Sequence, residues 1–222
     1  MKLLTQRLML VWIALIASLL MSSVGIAACK DTPLLLQKRA DGTLTEKESA
    51  RLTSVMKWHL ENADRFAKQR KDYLDSVANA KLGPEELLRQ KELFFNQSAT
   101  FLQSTLEAYA SLNDGVYPYS LAPLVCSHMI TELPLNPFTG EPFEQKGLGI
   151  LARGEDSGVA YVPEYVRENG TPVVVGYWLV FVSREICRLD QDFQPPSPAK
   201  PLPGNWALPP DTALLLESHL PN

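Results

Sequence analysis

A chain of 222 residues with 21 Lys and Arg against 25 Asp and Glu carries a formal net charge of −4, and 45% of its side chains are hydrophobic. That length and composition suit one domain of ordinary size with appendages. The acidic excess falls in residues 113–222 and no basic patch interleaved with aromatics occurs, which excludes nucleic acid as an expected partner.

Residues 1–28 read as a secretory signal. Lys2 and Arg7 supply a positive start, residues 8–21 (LMLVWIALIASLLM) are uncharged and apolar, and small residues follow. The run is about 14 residues, shorter than the roughly 18–20 of a comfortable membrane span, although extension through residues 24–28 keeps a retained anchor open. It ends in Ile26-Ala27-Ala28-Cys29, which resembles the lipobox of bacterial lipoproteins. The resemblance implies that Cys29 becomes a lipid-bearing N-terminus, fixing an exported protein to the periplasmic side of a bacterial envelope, on the inner or the outer membrane. Ordinary signal cleavage nearby and an uncleaved anchor are the alternatives. If Cys29 takes lipid, Cys126 and Cys187 remain of the three cysteines as a disulfide pair in an oxidising compartment. A bridge closing that loop stabilises by about 4 kcal/mol in the chain-entropy model; two unpaired buried thiols are the other possibility.

Residues 29–44 are expected to be a tether. The string DGTLTEKE (41–48) has the look of half a calcium loop, but the ligand positions before it hold Gln37 and Arg39, and Arg cannot ligate calcium. It is read as a turn and a helix start, with Thr45 and Glu48 spaced as a capping box. Helical spacing then places Leu52, Val55, Met56, His59, Leu60, Ala63, Phe66, Tyr73, Leu74 and Val77 on the apolar side of a helix over 45–80. Glu61 with Arg65 and Asp64 with Lys68 are expected as i,i+4 pairs on its outside. His59, among apolar neighbours, is read as a core histidine. Gly83-Pro84 with Glu85 and Glu86 opens a second helix reaching Leu112, whose stripe of Leu87, Leu88, Phe94, Phe95, Phe101, Leu102, Leu106 and Tyr109 is read as core. Together 45–112 form a helical hairpin, because the connection is short.

Asn113-Asp114-Gly115 ends the second helix, and Tyr117-Pro118 forces extended backbone. A short helix is expected over 121–129, followed by the fixed loop LPLNPFTGEPF (133–143), and strands at 158–162 and 173–182. In the second strand Tyr177, Leu179 and Phe181 face opposite to Trp178, Val180 and Val182. Tyr109 followed by LNDGVYP, a short helix, LPLNPFTGEPF and two strands resembles the globular domain of type II secretion pseudopilins and related type IV pilin-like proteins. The resemblance runs over about residues 95–183. It implies an α+β fold, a long helical hairpin leading into a small antiparallel sheet, with a pilin-like domain over 95–187 that shares its first helix with the hairpin. The family's prepilin leader, a Gly followed by Phe-Thr-Leu-Ile-Glu before the apolar run, is absent; Gly25 lies behind the run, and residues 183–187 do not form a calcium loop. Filament assembly and calcium binding are therefore not carried over. Residues 188–222 read as a Pro-rich tail, with Trp206 and Leu214-Leu215-Leu216 docking loosely.

The sequence carries no recognisable array of nucleophile, base and acid or of metal ligands. Gly154-Glu155-Asp156-Ser157-Gly158 is reminiscent of a serine-protease loop, but with the first Gly displaced it reads as a turn. Cys126 and His128 do not establish a thiol dyad, and the three histidines at 59, 128 and 219 form no zinc set. The expectation is a noncatalytic envelope lipoprotein without cofactor or metal, acting as a structural or protein-interaction module toward envelope proteins. The alternatives are a pseudopilin of type II secretion or a type IV pilus with an uncleaved anchor and, more remotely, an envelope hydrolase built around Cys126.

Overall fold

The computed structural model describes residues 32–79, 82–151, 158–183 and 212–218. The fold is α+β, long helices followed by a three-stranded antiparallel sheet. In chain order the elements are α1 (Leu34–Ala40), α2 (Glu46–Asn79), α3 (Pro84–Leu112), α4 (Ala122–Cys126), α5 (Leu148–Leu151), β1 (Gly158–Glu168), β2 (Thr171–Val182) and β3 (Thr212–Glu217). Residues 1–31, with the expected signal and Cys29, the expected turn at Glu155-Asp156-Ser157, Cys187, Trp206, His219 and the Pro-rich stretch before residue 212 lie outside the described residues.

Local chemistry sets the ends of the two long helices. Ahead of α2, Thr45 Oγ1 accepts from the Glu48 backbone N–H at 3.3 Å while Glu48 Oε2 accepts from the Thr45 N–H at 2.9 Å, a complete capping box. Lys38 on α1 ion-pairs with the same carboxylate. Its contact, followed by the Thr45 bonds, holds Glu48 down at about 2. Pro84 begins α3, where a missing N–H costs nothing. Gly115, at φ 86°, ends it by donating from its N–H to the Ala110 carbonyl at 2.8 Å.

The two helices pack as a hairpin along aromatic rings. Phe66 stacks on Phe101 with centroids 4.3 Å apart, and Tyr73 on Phe94 at 4.4 Å. His59 is buried as expected. Leu60, Leu74 and Val77, assigned to the same apolar side, are 55%, 45% and 39% exposed. They form a second stripe, rotated away from α3. The outer ion pairs also differ from expectation: Lys57 with Glu61 at 4.0 Å and Lys71 with Asp75 at 2.8 Å are the i,i+4 pairs formed among the described residues of α2.

The tether expected over 29–44 is corrected in part. Residues 34–40 are helical, Leu35 is buried against the hairpin, and the Leu34 N–H donates to Asn113 Oδ1 at 3.1 Å. A second correction concerns the tail: Leu214, Leu215 and Leu216 sit inside β3, paired with Phe181, Val180 and Leu179 of β2. Loose docking gives way to strand pairing because β2 has a free edge of apolar residues that only another strand can satisfy. The short helix expected over 121–129 spans only Ala122–Cys126. The 133–143 loop carries an isolated bridge from Leu135 to Pro142.

The sheet order is β1-β2-β3, with β2 central. Its alternation is as read from the sequence: Tyr177, Leu179 and Phe181 join the core shared with α3, while Trp178, Val180 and Val182 face a smaller cluster with Leu148, Leu151 and Ala160. Burial on both faces explains why the strand is apolar almost throughout. Asn169-Gly170, at φ 51° and 83°, makes the two-residue turn that joins β1 to β2.

Candidate functional site

Two features of the fold combine precise polar placement with accessible surface: the corner joining the hairpin to the sheet, and a groove along α2. The corner begins where Gly115 ends α3. The Tyr117 N–H then donates to the Val174 carbonyl at 3.0 Å, which fixes the chain to β2. Both Tyr117 and Tyr177 donate their hydroxyls to the Glu107 carboxylate, at 2.7 and 2.9 Å. Their rings meet edge to face at 5.0 Å. Tyr161 Oη donates to the Pro118 carbonyl at 2.6 Å, and Tyr119 Oη to that of Pro172, also at 2.6 Å. Every polar tip in this aromatic corner thus reaches a partner on a different element.

Burial raises the ionisation of Tyr177 far above the phenol range, with the Glu107 charge adding to it, and burial likewise raises Tyr161. The folded state therefore keeps protons that the unfolded state releases near pH 10. Stability from these groups is full below pH 10 and falls as pH rises above it. We expect Tyr177 and Tyr161 to give tyrosinate absorbance only together with cooperative unfolding. In Tyr177→Phe the alkaline slope of stability should be shallower, by about 0.7 kcal/mol per pH unit at pH 10 and approaching one proton, about 1.4 kcal/mol per pH unit, above pH 11. Denaturant melts between pH 9 and 11 check this; an unchanged slope contradicts it.

The loop after α4 is held just as firmly. Asn136 is buried, its Oδ1 accepts from the Phe138 N–H at 3.0 Å, and its backbone N–H donates to the Glu141 carbonyl at 2.8 Å. Gly140 supplies the positive φ, 77°, that closes this turn. Phe143 fills the space below, its centroid 5.5 Å from that of Phe95 and 5.2 Å from that of Phe181.

A groove of about 470 Å³ lies between α2 and residues 129–135, with Ala63, Ala67 and Leu74 on the helix side. His59 Nε2 lies 2.7 Å from the Met129 carbonyl and so carries the proton, while Nδ1 is buried without a hydrogen-bond partner. Arg70 Nη1 donates to Glu132 Oε1 at 3.3 Å across the groove. These two contacts hold the 129–135 segment against α2.

Of the residues singled out in the sequence, Cys126 ends α4 and is disulfide-bonded. That state takes its sulfur out of use as a nucleophile. His128, two residues on, stands at φ 58° in the following turn. The proposed partner Cys187 and the proposed lipid site Cys29 lie outside the described residues. Among the described residues there is no group of three or more His, Cys, Asp and Glu placed to hold a metal ion, and no helix long and apolar enough to cross a membrane. Sequence reasoning missed Glu107: it is a lone acid on the apolar stripe of α3, and its partners Tyr117 and Tyr177 come from elsewhere in the fold. No protein-family model, curated protein or solved structure matches the chain.

Proposed function

We propose that this chain is a noncatalytic envelope lipoprotein, its folded part a structural or protein-interaction module with a pseudopilin-like order of elements. The observation that carries the reading is the apolar run of residues 8–21 leading to Ile26-Ala27-Ala28-Cys29. It is supported by where the fold starts: Pro33 is buried and Leu34 already bonds to Asn113. A lipid on Cys29 would hold the hairpin within about 17 Å of the membrane-bound residue, the reach of five extended residues. The Cys126 disulfide fits the same reading, since a lipidated Cys29 leaves Cys187 as its partner.

Metabolic labelling with an alkyne fatty acid should mark the wild-type protein, and Cys29→Ser should abolish both the label and membrane retention. Nonreducing peptide mapping should join Cys126 to Cys187. An unlabelled wild type with an equally membrane-bound Cys29→Ser form sinks the lipoprotein reading, as does a Cys29–Cys126 bridge. The second reading, a pseudopilin with an uncleaved anchor, is favoured by the order of long helix, Tyr-Pro corner, NPFTG loop and strands. A mature N-terminus at Met1 or ahead of residue 8 supports it, and a blocked Cys29 excludes it.

A further inference from the structure

Of the five methionines, Met56 and Met129 are the two beyond residue 28, and the fold brings both to one buried histidine. His59 is 2% exposed and follows Met56 by three positions in α2. Residues three apart share a helix face, and a long helical side chain leans back over the turn before its own Cα. The His59 ring therefore lies over the turn that carries Met56. Met129 arrives from outside the helix: its carbonyl accepts from His59 Nε2 at 2.7 Å, and the residue is 7% exposed.

The hydrogen bonding of the imidazole singles this place out. Donation from Nε2 to a backbone carbonyl fixes the orientation and tautomer of the ring and leaves Nδ1 with a lone pair. Nδ1 is buried without a hydrogen-bond partner. A carbonyl behind one ring nitrogen and a bare second nitrogen is the arrangement of a metal-ligating histidine. A buried acceptor left unsatisfied also costs stability, which an ion at Nδ1 would recover. Phe101, stacked on the imidazole with centroids 6.5 Å apart, closes one face of the ring.

The donor types decide the metal. Two thioethers and a neutral imidazole form a soft, uncharged set, and thioether sulfur selects monovalent copper over calcium or magnesium, which take oxygen. A methionine side chain has three rotatable bonds, so each sulfur can turn onto an ion held at Nδ1. Entry is open from two sides: Met129 lines the 470 Å³ groove beside residues 129–135, and Met56 lines a second groove of about 620 Å³ with Leu52 and Leu60. Binding releases no proton, since Nδ1 carries none. We propose that Met56, His59 and Met129 bind one monovalent copper ion through two thioether sulfurs and Nδ1, tying α2 to the segment after α4.

The test uses the full chain in detergent, with its disulfide intact and every free thiol alkylated, titrated anaerobically with Cu(I) against a colorimetric chelator and with Ag(I) as a redox-inert probe. One equivalent should bind. In methionine-methyl-labelled protein, Ag(I) should shift the NMR signals of Met56 and Met129. Met56→Leu and Met129→Leu nearly conserve volume, so each should stay folded and bind Cu(I) at least about tenfold more weakly. The double leucine variant and His59→Gln should lose stoichiometric binding. His128→Gln, beside Met129 but exposed, should bind as the wild type does. The leucine variants leave the imidazole untouched, so they decide the question even if His59→Gln fails to fold. With thiols alkylated, the result is the same whether or not Cys29 bears lipid. A wild type that takes up no equivalent, a double leucine variant with wild-type affinity, or loss of binding through His128→Gln overturns the proposal.

Discussion

Phe181→Ala is expected to lower the free energy of unfolding by about 3–5 kcal/mol, the range for deleting a fully buried aromatic ring. Phe181 is completely buried in the core shared by the helices and the sheet. Its ring meets Phe95 at 5.8 Å and Phe143 at 5.2 Å, with interplanar angles of 73° and 69°. Phe95 belongs to α3, Phe143 to the loop after α4, and Phe181 to β2, so one ring joins the three parts of the fold. The cavity left behind cannot close easily, because Phe95 is also wedged against Phe138 at 5.8 Å. A loss of that size is a large part of the roughly 5–15 kcal/mol that holds an ordinary domain. Val166→Ala, on the exposed end of β1, should stay within about 0.5 kcal/mol of wild type. Urea denaturation with the disulfide intact measures both. A Phe181→Ala loss below about 1 kcal/mol would mean that the aromatic junction is not the centre of the core.

What could be read in the sequence was what local chemistry decides. The expected helices at 45–80 and 84–112 correspond to Glu46–Asn79 and Pro84–Leu112 because a capping box, a helix-starting proline and a terminal glycine act within a few residues. The alternation of 177–182 assigned both faces of β2 correctly. Harder to read was whatever depends on distant partners. Residues 34–40 are too short to show a helical period, and their helix is secured by Leu35 burial and a bond to Asn113, 79 positions away. The three leucines at 214–216 lack alternation since they flank two apolar clusters, so only pairing with β2 makes them a strand. Strand β1 was expected only over 158–162 because Pro163 interrupts the pattern, yet it continues to Glu168 on an edge where a missing N–H is tolerated. The Asn169-Gly170 turn was a usable hairpin signal for that extension. On α2 two apolar stripes were merged into one, since periodicity shows that a residue faces a side without showing whether anything covers it.

Ending the chain at residue 211 should turn a folded protein into an aggregating one, a larger effect than the packing of β3 alone predicts. Removing β3 deletes the pairing of Trp178, Leu179, Val180, Phe181 and Val182 with 212–217, along with the bond from the Gln103 amide to the Glu217 carbonyl at 2.7 Å. The exposed edge would then present WLVFV, with no charge, Pro or Gly to protect it, the composition that seeds edge-to-edge pairing. Replacing Leu214, Leu215 and Leu216 together by Ala keeps the backbone ladder and removes only side-chain burial. These leucines are half-buried, so that variant should lose about 1 kcal/mol per position yet stay soluble. The truncated chain should instead appear in the insoluble fraction and bind an amyloid dye. Solubility after expression and thermal melting of the soluble material distinguish the two. A truncated chain that stays monomeric and melts as the wild type does would return residues 212–218 to the loosely docked tail expected from their composition. If the triple alanine chain aggregates as badly as the truncation, side-chain cover rather than strand pairing protects β2.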